Sequence, residues 1–275
     1  MKSYTIFGGT GFIGSHFVKF LKKMGHSVWI PEKNDSSIFN KNLGIVIYAA
    51  GYGNCTDNPY NVLQANTSLL SNILDKGQFD KLIYLSSTRI YMNQSISTED
   101  SSVLINFEDN RKLFNLTKLI SEELCIKSNR DCMIIRPSNV YGLSLNSPLF
   151  LPSIIRDAVK NKVVNMYVSP NYRKDYISVD DLVNATIKLS ELNTPPEIIN
   201  VASGKNISAE EIAKILKEKT DCNILWNKPL SNYEVFPPIN IDKLRRKIQF
   251  NPRNVLSDLD KMILEYKDII KNEKS

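Results

Sequence analysis

Short apolar runs alternate with segments of helical periodicity through the first half of the 275-residue chain. Apolar runs bounded by turn residues predict buried strands, and apolar residues that recur every three or four positions predict amphipathic helices. The predicted strands are 4–7, 27–30, 45–49, 81–86 and 132–136. The helices predicted among them are 14–24, 61–74 and 111–128. Strands that alternate with helices in this way predict an α/β fold with a doubly wound parallel sheet, covered on both faces.

One part of this pattern is shorter than the fold requires. In a doubly wound sheet a helix, a strand and a second helix normally follow the second strand. Only about a dozen residues separate Glu32 from the strand that begins near Gly44. Segment 33–43 cannot hold all three elements, so we expect one peripheral strand–helix unit to be missing or vestigial.

The second half of the chain is less regular. From about residue 143 prolines interrupt the apolar pattern, and helical periodicity returns at 154–160, 179–192, 208–219 and 255–271. Ser208 and Glu211 have the spacing of a capping box, in which each side chain accepts a hydrogen bond from the other residue's backbone. We therefore expect a helix to begin at Ser208.

Composition excludes some classes of protein. The chain is 42% hydrophobic and 23% charged, as in ordinary globular domains. No apolar run approaches the roughly 20 residues that span a bilayer, and the first apolar segment is the first strand rather than a signal peptide. The cysteines are Cys55, Cys125, Cys132 and Cys222, without a Cys-x-x-Cys pair. Such cysteines are typical of reduced thiols, so we expect a cytoplasmic protein.

The net charge of +6 changes this picture little. The lysines are spread along predicted helices and the C-terminal tail rather than concentrated with aromatic residues, so no nucleic-acid partner is predicted. A modest positive field suits an anionic substrate such as a nucleoside diphosphate. We predict no metal site.

The glycines after the first predicted strand carry the strongest chemical signal. Gly8, Gly11 and Gly14 form a Gly-x-x-Gly-x-x-Gly pattern between a strand and a helix. The first permits a tight turn, the second lets backbone N–H groups approach a pyrophosphate, and the third lets the helix pack closely on the strand. The helix N-terminus adds unpaired donors and a favourable dipole. We therefore predict a dinucleotide site, in preference to a glycine-rich structural turn.

Glu32 and Lys33 bear on which dinucleotide binds. Glu32 follows the second strand, where a carboxylate accepts hydrogen bonds from the adenosine ribose and repels a 2′-phosphate. We therefore expect NAD. The cation of Lys33 beside it keeps NADP open, and a solvated loop acid is the alternative interpretation of Glu32.

Four later segments carry further motifs, at 81–91, 114–123, 136–142 and 173–182. The first ends a strand in the hydroxyl residues Ser86, Ser87 and Thr88, at the sheet edge where open α/β sheets bind ligands. With these motifs in this order, the chain resembles the extended short-chain dehydrogenases/reductases of the NAD-dependent epimerase/dehydratase family. Members of that family act on nucleotide-activated sugars.

This resemblance implies an organisation and a partner. A Rossmann domain over 1–142 would bind NAD(P), with segments near 175–200 returning to it. Region 143–275, mainly a smaller α/β domain, would bind a nucleotide-diphosphate sugar. Many members dimerise through helices that correspond to 61–74 and 111–128, so a homodimer is expected.

The resemblance also implies roles for single residues. Ser87 takes the place of the catalytic Ser/Thr, and Lys118 that of the lysine that binds the nicotinamide ribose and lowers the pKa of a catalytic tyrosine. Asn139 would contact the substrate diphosphate, and Lys174 occupies the usual arginine position. The expected substrate contacts are Ser87, Thr88, Asn139, Arg173 and Lys174. The expected cofactor contacts are Gly8, Thr10, Gly11, Phe12, Ile13, Gly14, Glu32, Lys33, Ala49, Ala50, Gly51, Asn66 and Lys118.

Phe114 departs from the family pattern. The catalytic tyrosine belongs four residues before Lys118, where this chain has phenylalanine, and no Tyr-x-x-x-Lys occurs anywhere in the sequence. A phenyl ring fills the same volume but cannot transfer the proton that accompanies hydride transfer. Three explanations stay open. The change was introduced to trap a bound sugar nucleotide; or it is natural, and Tyr91, Tyr141, Ser87 or a water moves the proton; or the protein binds without turnover.

Thr88 and Arg89 narrow the chemistry that the resemblance implies. Dehydratases of the family carry an Asp-Glu pair after the catalytic Ser/Thr, and decarboxylating members use a glutamate in the same stretch. Neither is present here, which leaves 4-keto reduction or 4-epimerisation, each needing a hydride and one proton. The trimmed sheet suits the reductases and Glu32 suits the epimerases, so both stay open. A non-catalytic protein that binds NAD(P) or a sugar nucleotide is the alternative.

Overall fold

The computed structural model describes residues 1–144, 147, 149–192, 194–228 and 234–272. Its strands are β1 (Ser3–Phe7), β2 (Ser27–Trp29), β3 (Ile45–Tyr48), β4 (Lys81–Leu85), β5 (Cys132–Pro137), β6 (Asn139–Tyr141), β7 (Val163–Met166), β8 (Arg173–Ser178), β9 (Glu197–Val201), β10 (Asn206–Ser208) and β11 (Asn223–Trp226). Its helices are α1 (Phe12–Lys23), α2 (Pro59–Leu63), α3 (Leu69–Lys76), α4 (Lys112–Lys127), α5 (Phe150–Lys160), α6 (Val179–Ser190), α7 (Ala209–Thr220), α8 (Asp242–Lys247) and α9 (Val255–Asn272).

A six-stranded parallel sheet forms the centre of the first half, in the order β2-β1-β3-β4-β5-β9. Every residue of β4 and β5 is buried, because helices cover both faces of the sheet. The α/β doubly wound fold is therefore confirmed. β2 lies at the edge. Segment 33–43 holds only a 3₁₀ turn at Ser36–Phe39 and an isolated bridge from Asn42 to Gln78, so the expected peripheral unit is indeed missing.

Two apolar clusters hold the helices on this sheet. On one face, Phe17 and Leu21 of α1 and Leu182 of α6 pack against strand residues such as Ile6. On the other face, α3 and α4 pack against β3 and β4. The predicted helix 61–74 is α2 and α3, joined by a π-helical stretch at Gln64–Ser68. This stretch adds a wide turn that contains the buried Asn66.

The remaining elements form a second core at the carboxyl edge of the sheet. β6, β8 and β10 make a three-stranded sheet, and β7 pairs with β11. Helices α5, α7 and α9 enclose apolar side chains that include Ile155, Leu216 and Leu259. The Ser208–Glu211 capping box is present at the start of α7, as predicted. β9 returns to the central sheet, whereas the domain boundary near residue 142 stays a prediction.

None of the helices in the described part of the chain combines the length and the apolar character that crossing a bilayer requires.

Candidate active site

The loop after β1 has the geometry that its glycines predict. Gly8 has φ +76°, and a Cβ added there would lie 2.7 Å from the backbone nitrogen of Ala50. A Cβ at Gly14 would overlap the carbonyl oxygen of Gly8 and lie 2.9 Å from Cα of Gly9. Because backbone atoms supply these contacts, neither position accepts a side chain. No side-chain hydrogen bond caps α1, so its first turn offers backbone N–H groups to an anion. The predicted cofactor contacts in this turn are Gly8, Thr10, Gly11, Phe12, Ile13 and Gly14.

The predicted contacts Ala49, Ala50 and Gly51 follow β3. Ala49 and Ala50 lie against the glycine turn, and Gly51 lies beside Asn66. Asn66 holds the continuation of this loop. Its Oδ1 accepts a hydrogen bond from the backbone nitrogen of Tyr52 at 3.0 Å, and its Nδ2 donates to the carbonyl oxygen of Tyr52 at 3.2 Å and to a threonine hydroxyl of α4 at 3.0 Å. Asn66 therefore positions the loop, while its direct contact with a cofactor stays a prediction.

Glu32 and Lys33 lie just beyond β2, at the same edge of the sheet as the glycine turn. Ile30, at the end of the same segment, would lie 2.9 Å from a Cβ added at Gly9. Both charged side chains are exposed. Glu32 is thus an exposed carboxylate at this edge, and Lys33 is the cation beside it. Their contacts with a cofactor stay predictions.

Lys118 brings a buried cation to the carboxyl edge of the sheet. Its Nζ donates a hydrogen bond to the carbonyl oxygen of Leu85 at 2.8 Å. A Cβ added at Gly51 would lie 3.7 Å from this nitrogen, so Lys118 faces the loop after β3. Burial lowers the pKa of Lys118 to about 8, although the carboxylate of Glu122 acts to raise it. Lys118 is therefore a cation with a weakly held proton.

Ser87 and Phe114 are the predicted catalytic positions near this lysine. Ser87 is two residues beyond the carbonyl oxygen that Lys118 contacts, and its Oγ accepts a hydrogen bond from the backbone nitrogen of Arg89 at 3.1 Å. Among the described residues the Ser87 hydroxyl donates to no acceptor, so its proton is available to a ligand. The Phe114 ring is half-buried, with its centroid 5.6 Å from the Lys118 ammonium. Thr88 is buried beside Ser87.

The hydroxyls of Tyr91 and Tyr141, two possible substitutes for the missing phenol, are engaged elsewhere. Tyr91 is completely buried, donates to Asn200 at 3.0 Å and accepts a hydrogen bond from Arg136 at 2.5 Å. Tyr141 donates to Asp258 at 2.8 Å in the second core. Burial raises the pKa of both phenols. Of the four substitutes, Ser87 and water remain.

The predicted diphosphate contacts lie at the start of β6 and β8. The Asn139 amide donates to the carbonyl oxygen of Asp175 at 2.8 Å, next to Lys174. The Lys174 ammonium lies 5.0 Å and 4.8 Å from the ring centroids of Tyr172 and Phe236, and burial lowers its pKa to about 8. Arg173 is exposed, pairs with a glutamate of α7 at 3.8 Å, and lines a cavity of about 710 Å³.

Comparison with known proteins identifies the family. A family model described as "NAD dependent epimerase/dehydratase family" matches residues 4–202. The chain belongs to this family. This confirms the resemblance on which the expected site residues rest.

Similar curated proteins are named for different reactions of nucleotide sugars. The chain is 26% identical over 196 residues to "Probable GDP-L-fucose synthase 1" of Oryza sativa subsp. japonica, a match that covers 63% of this chain and 60% of that protein. It is 25% identical over 299 residues to UDP-N-acetyl-alpha-D-glucosaminuronate decarboxylase of Bacillus cytotoxicus, covering 91% of this chain and 93% of that protein.

A solved structure shares the fold over almost the whole chain. It is a Tyr-to-Phe mutant of UDP-glucuronic acid 4-epimerase from Bacillus cereus, in complex with UDP-4-deoxy-4-fluoro-glucuronic acid and NAD. The TM-score is 0.86 at 18% identity, covering 97% of this chain and 99% of that chain. Such a distant likeness supports the fold alone.

Sequence reasoning missed several charged residues around the epimerase-family site. The sequence at Arg89 indicates only that a carboxylate base is absent, whereas the structure shows that Arg89 is buried and binds Glu234 at 2.9 Å. Arg111 lies over the Phe114 ring, with its guanidinium carbon 4.9 Å from the centroid. Its position three residues before Phe114, on the same helical face, was a usable signal. No local sequence pattern predicts that Glu234 lies here, because this residue is far from Arg89 and Arg111 along the chain.

Proposed function

We propose that this chain binds NAD and a nucleoside-diphosphate sugar and transfers hydride at C4 of the sugar, either as a 4-keto-sugar reductase or as a 4-epimerase. The observation that carries this proposal is the placement of Lys118. Burying a lysine beside the Gly51 loop is unfavourable for folding, because burial disfavours its charge. Perturbed ionisable groups at a sheet edge are typical of functional sites.

The residues present fit NAD. Gly8 and Gly14 leave a cradle that a Cβ would fill, and the first turn of α1 faces the place of a pyrophosphate. Glu32 would accept hydrogen bonds from the adenosine ribose and repel a 2′-phosphate, which favours NAD over NADP. Lys118 would hold the nicotinamide ribose. NAD, when bound, supplies or accepts the hydride.

The chain's own residues divide the remaining work. The Ser87 hydroxyl would donate a hydrogen bond to the sugar's C4 oxygen and orient it. Phe114 supplies volume but no proton, so the proton at this oxygen would move through Ser87 or a water. Asn139 and Lys174 would hold the diphosphate, with Thr88 and Arg173 as further contacts. Relatives named for UDP- and GDP-sugar chemistry support this substrate class.

A homodimer is part of this proposal. Leu63 of α2 and Leu116 and Ile120 of α4 are exposed large apolar side chains, on the helices through which family members dimerise. Burial of these side chains against a second copy would remove apolar surface from water. The four cysteines are unpaired, which supports a cytoplasmic location.

Phe114→Tyr tests the proposed reaction. General acid–base catalysis contributes about 10²–10⁴-fold, so the variant should turn over UDP- or GDP-sugars faster than the chain with Phe114 by a factor in this range. Product formation with NAD(H) is followed by chromatography of the nucleotide sugars. Phe107→Tyr is the matched control, because Phe107 is 82% exposed and the same atom is added away from the site.

A non-catalytic binding protein is the second candidate, because Phe114 leaves the site without the family's acid–base group. It is favoured if both proteins bind NAD and a nucleotide sugar but Phe114→Tyr gives no turnover. If neither protein binds either ligand, both candidates are wrong.

A further inference from the structure

Two cations contact one carboxylate near the proposed reacting end of the site, and a third cation lies close to them. Glu234 accepts hydrogen bonds from Arg89 at 2.9 Å and from the Tyr172 hydroxyl at 2.8 Å, and its carboxylate lies 3.8 Å from the Lys174 ammonium. Arg89 also pairs with the buried Asp109 at 2.8 Å. The two carboxylates, Glu234 and Asp109, neutralise two positive charges, those of Arg89 and Lys174.

Arg111 is the third cation, and it has no counterion in contact. Its guanidinium makes no hydrogen bond or ion pair with any residue that the structure describes, although it lies over the Phe114 ring. One of its terminal nitrogens would lie 3.2 Å from a Cβ added at Gly53, so the loop after β3 passes directly beside it. Arg111 as a whole is exposed to solvent. Desolvation of its guanidinium and the neighbouring charge of Arg89 nevertheless lower the pKa of Arg111. An anion placed here would relieve that repulsion.

Arg89 also has one hydrogen-bond donor that is not used within the described part of the chain. Its side chain is only 8% exposed, and its Nε is buried without a hydrogen-bond partner among the described residues. A buried donor without a partner is costly, and a guanidinium is the side chain best suited to bind a carboxylate. With Lys174 protonated, the cluster of Arg89, Arg111 and Lys174 carries one positive charge more than Asp109 and Glu234 neutralise.

Arg111 is the member of this cluster that lies beside the proposed sugar position. Its guanidinium lies over Phe114, the position from which a tyrosine would reach the C4 oxygen, and Arg89 lies two residues after Ser87. Lys174, a proposed diphosphate contact, shares Glu234 with Arg89, so the cluster extends from the Phe114 ring to β8. An anion beside Arg111 would therefore lie next to Phe114, where the proposed function puts the sugar ring.

We propose that Arg89 and Arg111 form a specificity site for a carboxylate on the sugar ring, so that the preferred substrate is a nucleoside-diphosphate sugar acid. This rests on the proposed function, because it assumes that a nucleotide sugar lies between Ser87 and Phe114. A guanidinium–carboxylate contact is bidentate and charge-assisted, which gives it both strength and geometric selectivity.

Matched substrates isolate the carboxylate. UDP-glucose and UDP-glucuronic acid differ only at C6, as do GDP-mannose and GDP-mannuronic acid. Calorimetric titration of the NAD-saturated protein with each pair, and with UDP and GDP alone, should show the acid binding about tenfold or more tightly than its neutral partner. A neutral sugar that binds as tightly as its acid partner overturns the proposal.

Variants of Arg111 test whether this residue causes the preference for the sugar acid. Arg111→Gln should abolish the preference for the acid, and Arg111→Lys should keep part of it. Lys127→Gln, which removes the same charge from a 75% exposed position on the same helix, should keep all of it. If Arg111→Gln weakens UDP or GDP alone as much as the sugar acid, Arg111 serves the diphosphate and the proposal is wrong. If NAD binds but UDP, GDP and all four nucleotide sugars do not, both the proposed function and the proposed carboxylate site are wrong.

Discussion

Replacing Lys118 by methionine should expose the energetic cost of the buried ammonium. Burial lowers the pKa of this lysine from 10.5 to about 8. One pKa unit corresponds to about 1.4 kcal/mol, so the folded protein is about 3 kcal/mol less stable at neutral pH than it would be with an unperturbed group. Methionine has similar length and no charge. The variant therefore removes this penalty, along with the hydrogen bond to Leu85.

The dependence on pH has a definite sign. Between pH 8 and about 10.5 the unfolded chain still binds the proton of Lys118 while the folded chain has released it, so the stability of the natural protein rises with pH in this window. Below pH 8 both states are protonated and the contribution is constant. The other ionisable groups are common to both proteins, so they largely cancel in the difference. From pH 7 to pH 10 the natural protein should gain about 2.5 kcal/mol relative to Lys118→Met.

Urea unfolding of the cofactor-free proteins at these two pH values measures the gain. Lys127→Met is the control, since Lys127 is 75% exposed and its replacement should give a nearly constant difference. A difference between the natural protein and Lys118→Met that stays the same at both pH values would show that Lys118 is not desolvated in the folded state. The reason given for its functional role would then be lost.

Three further predictions follow from the fold. Gly14→Ala should weaken NAD binding at least about tenfold in calorimetry, because its Cβ meets backbone rather than movable side chains; unchanged affinity would contradict the cradle. Glu122→Gln should cost about 3–5 kcal/mol in urea unfolding, because it leaves the buried Arg136 uncompensated, and a loss below about 1 kcal/mol would refute this. Leu116→Glu should convert a dimer into monomers in light scattering, whereas an unchanged mass would place the interface elsewhere.

Local sequence signals were sufficient for five of the six strands of the central sheet, but not for β9 or for the second core. An apolar run bounded by turn residues predicts a buried strand without knowledge of its neighbours, which is why the first five strands were predicted. Strands such as β6 and β10 have three residues each, too few to show a period. The π-helical stretch at Gln64–Ser68 was also missed, because it has no distinct sequence pattern.

In the candidate site, too, local features could be predicted from the sequence and long-range contacts could not. The glycine turn could be predicted because it depends on spacing between one strand and one helix, whereas Phe114 and Lys118 were singled out by the family resemblance. The contact between Arg89 and Glu234 joins residues that are 145 positions apart. Such a contact follows from the tertiary fold, so the excess positive charge beside Phe114 could not be predicted from the sequence alone.

The buried network behind the site limits how the missing phenol can be replaced. Tyr91 accepts a hydrogen bond from Arg136, whose guanidinium also binds both carboxylate oxygens of Glu122, and it donates to Asn200. Turning its hydroxyl toward a substrate would leave buried polar groups without partners, at about 1–3 kcal/mol or more for each group. Tyr141, whose pKa is raised by burial and by Asp258, is a poorer acid than a free phenol. Both tyrosines are therefore poor proton donors for the proposed reaction, and we expect its proton to pass through the Ser87 hydroxyl or a water.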